Sequence, residues 1–201
     1  MQQLVLDIGR APEPEFANYI AGPNAEALAR VQALAAGQLR EAVVYLWGDA
    51  GTGRTHLLRA AVRQNPSLIA ADDVEALNDE AQQHLFAAIN SARDGGPPVL
   101  AAGAKPPAQL GLREDLRTRL AWGLVYQLKP PADEEKAFYL RGEAARRGLR
   151  LSDEVVQYLL THLPRDLASL NAALEALDRY SLATRRPVTL PLVRQALEKK
   201  S

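Results

Sequence analysis

Apolar residues along this chain change their spacing once, near residue 130, and the change divides it into two kinds of structure. Before that point four short apolar runs recur: "VVYLW" at 43–47, "LIAAD" at 68–72, "PVLAA" at 98–102 and "LVYQL" at 124–128. Such nearly unbroken runs suit strands buried on both faces, as in a parallel sheet. The stretches between them carry helical spacing. Thr55 onward reads as a helix. From Asp79 to Arg93, Ala81, Leu85, Ile89 and Ala92 fall on one face before Gly95 and Gly96 stop the helix, and a short helix is expected around 113–121. Strands alternating with helices imply an α/β fold with helices on both faces of the sheet.

Beyond "KPPAD" at 129–133 the pattern is helical only. Ser152 is placed to cap a helix over 153–162, with Leu151 and Val156 spaced as a hydrophobic staple. Leu167, Leu170, Leu174 and Leu177 line a second helix, and Thr189 opens a last one running to about Lys199. At the other end, residues 1–21 form an arm in which "APEPE" suits an extended connector. The expected division is an arm (1–21), a sheet-containing domain (22–129) and a helical domain (130–201).

Composition narrows the function classes. With 201 residues and 47% hydrophobic content the chain can bury a real core. Basic and acidic residues balance at 24 each, so no global field draws it to nucleic acid or an anionic membrane. Cysteine is absent, which removes disulfide and thiolate chemistry. No apolar run approaches the roughly 20 residues of a membrane helix, and "MQQLVLDIGR" lacks a secretory pattern, so a cytoplasmic protein is expected. His56, His84 and His162 have no metal-like spacing. The pairs Arg146–Arg147, Arg185–Arg186 and Lys199–Lys200 read as solvated helix ends, and Trp47 and Trp122 as core or interface anchors.

The stretch "YLWGDAGTGRTHLL" at 45–58 runs from strand through a glycine-rich turn into a helix, which is how a phosphate-binding loop is built. Gly48, Gly51 and Gly53 let backbone amides converge, the following helix directs its positive end at a phosphate, and Thr55 offers a hydroxyl to magnesium. Arg54 stands where such loops carry lysine; its planar guanidinium favours phosphate binding over hydrolysis. Asp72 and Asp73 close the second apolar run, one suited to hold magnesium and the other to orient an attacking water. The bland alternative for the pair is a solvated helix cap.

Together, "YLWGDAGTGRTHLL", "DDVEAL", "LRTRLAWGLVYQL" and "RDLASLNAALEALDR" resemble the ATPase region of the DnaA family of bacterial replication initiators. They are more similar still to its truncated Hda-like branch, regulatory inactivators of DnaA within the AAA+ class. The resemblance runs from "FANYIAGPNAEAL" to "VTLPLVRQAL" and implies a P-loop AAA+ core of four or five parallel strands with a C-terminal helical lid. In this branch the loop lysine is also commonly arginine. The resemblance implies that Arg119 is an arginine finger acting on a neighbour's nucleotide and Arg165 a nucleotide-sensing lid residue. Phe16 to Asn24 would close over adenine through Tyr19 and Ile20, and His56 counts with the nucleotide-contacting positions.

Three departures bear on mechanism. The first sensor position is occupied by Ala104, which lacks a polar side chain. Between the loop helix and Asp72 there is room for a helix and one strand only, where the family usually inserts another strand and helix. The chain also ends after the lid, so the initiator's helix-turn-helix domain is missing and direct specific DNA binding is not expected. Gln3, Leu4 and Leu6 of "QQLVLDI" are similar to the short peptide that docks on the bacterial sliding clamp, with "APEPE" as tether. The expected function is a regulator that binds ADP or ATP, with magnesium and self-association admitted, and that stimulates hydrolysis on DnaA. The alternatives left open are a self-sufficient ATPase that loads or remodels a replication complex and a structural adaptor without nucleotide. A nucleoside kinase has the least support.

Overall fold

The computed structural model describes residues 13–163, 167–184 and 186–198. Residues 14–131 form one compact unit, and the described residues from Ala132 onward belong to a second. The first unit contains α1 (Ala25–Ala35), β1 (Val43–Trp47), α2 (Arg54–Gln64), β2 (Ile69–Ala71), α3 (Asp79–Arg93), β3 (Val99–Gly103), α4 (Glu114–Trp122) and β4 (Leu124–Gln127). All pairings are parallel, in the order β2-β3-β1-β4, so the sheet has the four strands that the short central region leaves room for.

The alternation along β1 decides the layering. Val44 and Leu46 face a core with Val31 and Leu34 of α1, Leu57 and Ala61 of α2, and Leu100 of β3. Val43 and Tyr45 face the opposite core, with Leu85 and Ile89 of α3, Leu116 and Leu120 of α4, and Val99 of β3. Successive strand residues point to opposite faces, so one strand of five residues serves both cores. On α3 the buried face is Gln82, Leu85, Ile89 and Ala92; Gln82 takes the place expected for Ala81. Its amide is satisfied there, donating to the Leu77 carbonyl at 3.0 Å and accepting from Arg113 N–H at 3.1 Å.

The second unit holds α5 (Asp133–Arg146), α6 (Asp153–His162), α7 (Leu167–Thr184) and α8 (Leu190–Glu198) around one apolar cluster. Ser152 caps α6, its hydroxyl accepting from Val155 N–H at 3.4 Å. Val156 is buried in that cluster and Leu151 packs against it, as the staple spacing requires. Helices α1 and α5 were not among the elements expected from the sequence. Among the described residues no helix is long and apolar enough to cross a membrane.

Gly123 joins α4 to β4 where the backbone of Val43 lies so close that a β-carbon would press on its carbonyl. Gly142 lies inside α5 with open space around it. Gly123→Ala is expected to destabilise the first unit by about 1–3 kcal/mol through overpacking. Gly142→Ala is expected to stabilise the second by about 0.5–1 kcal/mol, because glycine pays extra entropy inside a helix. Urea unfolding of both variants checks this, and equal midpoints would contradict the packing described.

Candidate nucleotide site and arginine face

The glycine loop leaves the carboxyl end of β1, which lies between β3 and β4, at the switch point of the strand order. Gly48 hydrogen-bonds to the end of β3, its N–H reaching the Gly103 carbonyl at 3.3 Å, while Leu128 N–H reaches Trp47 at 2.7 Å from β4. Gly51 and Gly53 take φ of 81° and 92°, the left-handed region in which a side chain is strained. Thr52 is buried and ties the turn internally, its hydroxyl donating to the Asp49 carbonyl at 2.9 Å. Gly53 begins α2 without a side-chain cap, and the first turn of α2 contains no acidic residue. The amino end of α2 therefore keeps its positive partial charge for a ligand.

Around that helix end the structure gathers Arg54, Thr55, Asp72 and Asp73. Thr55 Oγ1 donates to Asp72 Oδ2 at 2.5 Å, although β3 separates β1 from β2. Arg54 Nη2 lies 3.3 Å from Asp73 Oδ1, and Arg54 Nη1 is buried without a hydrogen-bond partner. Asp73 is the one non-glycine residue with positive φ among those described, at 44°, and its N–H donates to Asp72 Oδ1 at 3.0 Å. The pairing of Arg54 with Asp73 had no signal in the sequence, since contact across 19 positions depends on the strand order. Glu75 was also missed: its Oε1 accepts from Ala104 N–H at 2.9 Å, closing the first sensor position with a backbone contact. Burial pushes the Tyr45 hydroxyl well above its ordinary range, with Glu75 adding to the rise and Arg54 opposing it.

These groups fit a nucleotide's phosphates, because an orphaned guanidinium nitrogen beside an uncapped helix start needs an acceptor. Thr55 and Asp72 are hard oxygen donors suited to magnesium. Among the described residues no group of three or more His, Cys, Asp or Glu forms a metal site by itself.

The segment before α1 is packed against the loop. Tyr19 is buried, with its ring lying against Gly53 and 5.5 Å from the His56 ring, and its hydroxyl donates to the Thr52 carbonyl at 3.2 Å. Burial raises that hydroxyl to about 12, the Asn24 amide opposing the rise. Ile20 is half-buried. His56 Nε2 sits 2.8 Å from the Glu15 carbonyl, and burial lowers the pKa of its ring, so His56 is neutral near pH 7. Asn24, fully enclosed, donates to the Tyr19 hydroxyl at 3.1 Å and to Lys129 O at 2.8 Å, and accepts from Lys129 N–H at 2.8 Å. The loop is thereby linked through two side chains to Lys129, two residues beyond β4.

Arg119 occupies the opposite end of the sheet. With Trp122 and Arg93 it lines a cavity of about 590 Å³ that also takes in Ala42, Val43 and Gly123, at the amino ends of β1 and β4. The glycine loop begins one strand length away, roughly 16 Å at about 3.3 Å per residue. Trp122 is not core: it is 53% exposed, and Arg119 Cζ lies 3.7 Å from its ring centroid. Arg165 and the arm residues Gln3, Leu4 and Leu6 lie outside the described residues.

Comparison with known proteins agrees with this architecture. The family description "Hda, lid domain" matches residues 133–197. An uncharacterized protein of Haemophilus influenzae is 32% identical over 228 aligned positions, covering 98% of this chain and 98% of its own. Those positions outnumber the 201 residues here, so the relative carries residues that this chain lacks. Domain III of the Thermotoga maritima replication initiation protein DnaA superposes with a TM-score of 0.74 at 22% identity, covering 95% of this chain and 98% of that one. AMPPCP-bound DnaA from Aquifex aeolicus gives 0.67 at 20% identity, covering 87% and 70%. Both share the fold: a parallel sheet wrapped by helices with a helical lid. On the lid match, the full-length relative and this shared architecture, the chain belongs to the DnaA-related, Hda-like family of AAA+ proteins.

Proposed function

We propose that this chain is a regulator of replication initiation that binds adenine nucleotide, ADP above all, at its glycine loop. In this reading it stimulates ATP hydrolysis on DnaA through Arg119, while Gln3, Leu4 and Leu6 tether it to the sliding clamp. The observation that carries the reading is the separation of Arg119 from its own glycine loop by the length of β1. A cation so far from its own phosphate site is suited to a neighbour's, where charge develops in phosphoryl transfer. AMPPCP bound to the Aquifex aeolicus relative supports an adenine nucleotide as the loop's ligand. Arg54 and the first-turn amides of α2 would hold its phosphates, and Thr55 with Asp72 a magnesium ion, which would neutralise phosphate charge. Tyr19 and Ile20 would stand at the base, with Arg165 reporting from the lid.

A second reading, a self-sufficient ATPase, draws on the Thr55–Asp72 contact. Against it, Ala104 offers no polar side chain, and Asp73, the other carboxylate of the pair, is engaged by Arg54. Steady-state hydrolysis by the protein alone separates the two readings; turnover at the rate seen with DnaA present would favour the second.

Arg54→Ala is expected to raise the Kd for ADP roughly tenfold to a hundredfold, the equivalent of about 1.5–3 kcal/mol for a charge-assisted contact. Calorimetric titration checks it, and an unchanged Kd would sink the assignment of the loop as the nucleotide site.

Replacing both Gln3 and Leu4 by Ala is expected to abolish binding to the clamp while leaving the melting temperature and ADP affinity unchanged. Surface plasmon resonance on immobilised clamp reads this directly, and full clamp affinity in the double variant would refute the tether.

In a mixture of ATP-bound DnaA and DNA-loaded clamp, Arg119→Ala is expected to lose stimulated hydrolysis by about 10³-fold or more while keeping ADP and clamp binding. Arg119→Lys should rescue little, because an ammonium lacks the planar fork. Normal stimulation by folded Arg119→Ala would rule out the trans mechanism.

A further inference from the structure

Trp122 is the feature of this face that the proposed function leaves unused. It ends α4 with 53% of its surface exposed, and two guanidinium groups approach its ring: Arg119 Cζ at 3.7 Å from the centroid and Arg93 Cζ at 4.9 Å. Arg119 is also 5.4 Å from the Phe86 ring, so aromatic rings from α3 and α4 both engage it. An exposed tryptophan contributes little to the core. What it supplies here is a flat, electron-rich face that attracts guanidinium and restricts a side chain otherwise free to sample many rotamers.

The charge around it is unbalanced. Arg40, Arg93 and Arg119 line the cavity with Glu41 as the one carboxylate among its lining residues. Two cations held within 5 Å of one ring centroid repel each other. That arrangement is relieved by an anion entering the cavity, and a phosphate carried by a partner has the right chemistry.

We infer that Trp122 is a positioning residue for Arg119: its indole holds the guanidinium at the amino ends of β1 and β4 before a partner's phosphate arrives. The inference rests on the trans-acting role of Arg119 proposed above. Preorganisation of this kind acts on the rate at saturation, because the cation needs no reordering when charge develops. It leaves the affinity for the partner, which depends on the wider surface, nearly unchanged.

Two measurements test it. In the isolated protein, the side-chain NMR resonances of Arg119 should be shifted upfield by the indole ring current, with the shift lost in Trp122→Leu and kept in part in Trp122→Phe. In the assay with ATP-bound DnaA and DNA-loaded clamp, Trp122→Leu should lower the maximal stimulated rate roughly twofold to thirtyfold, the span of a cation–π contact from exposed to desolvated. The concentration giving half-maximal stimulation should not change, and Trp122→Phe should recover most of the rate. A full maximal rate in Trp122→Leu, in an assay where Arg119→Ala has lost its activity, overturns this inference alone. So does the absence of a ring-current shift in the unaltered protein, a result independent of whether any variant folds. A full rate in Arg119→Ala overturns the trans-acting reading and this inference together.

Discussion

Strand β1 has no face or edge left for water, and the rest of the first unit follows from that constraint. Its residues alternate between two apolar cores, and its backbone is paired on both sides, to β3 from Val43 to Trp47 and to β4 from Val44 onward. A strand so enclosed can only exchange with solvent at its two ends. The carboxyl end opens into the glycine loop, whose backbone donors and uncapped helix start favour an anion. The amino end meets α4, where the cationic, aromatic face of Arg119 and Trp122 lies. The two candidate sites therefore have a rigid spacer between them, fixed by the strand's length.

The apolar pattern made β1 and β3 most legible because both are enclosed on both faces: the observed bounds of β1 coincide with the expected run and β3 is shifted by one residue, while the edge strands differ, β2 being shorter by one residue at each end and β4 ending one residue earlier. Helix α3 was equally legible in extent, but its inner face was misassigned by one position, because Gln82 is buried on the strength of two backbone partners, one of which, Arg113, is distant in sequence. Helices α1 and α5 were both missed. The first buries Ala27, Val31, Leu34 and Ala35 at helical spacing and so was legible in principle, whereas the second carries a low-contrast mixture of charged and apolar residues. Both nevertheless had stop signals in Gly37 and Gly148, where left-handed residues close the helices. Of the site, the loop and the nearness of Asp72 to it could be read from motif spacing. The bond from Arg54 to Asp73, the Asn24 bridge to Lys129 and the exposure of Trp122 could not, because each depends on which strand lies beside which.

The short region between α2 and β2 has a physical consequence for the sheet. It leaves β2 as an edge strand of three residues, paired on one side to β3. A short edge strand offers few free backbone groups to another chain, which limits unwanted pairing. The aspartates that follow β2 still reach Thr55 and Arg54, since β3 ends at Gly103, where a β-carbon would collide with Val74, Glu75 and Tyr45. An edge strand as short as β2 thus need not disturb the loop, provided that the small residue at the end of β3 is kept.

The carboxylate opposite Arg54 also bears on how the loop would respond to its ligand. Asp73 holds one guanidinium nitrogen at 3.3 Å from an exposed position, while the other nitrogen is buried and unpaired. The exposed partner is screened by water and binds weakly, whereas the buried nitrogen bears a desolvation cost until an acceptor meets it. A phosphate satisfying that nitrogen need not displace Asp73, so the pair can orient Arg54 without blocking it. A lysine at this position would present a compact ammonium instead of two separated nitrogens. Arginine is the residue that can keep the carboxylate and take the phosphate together.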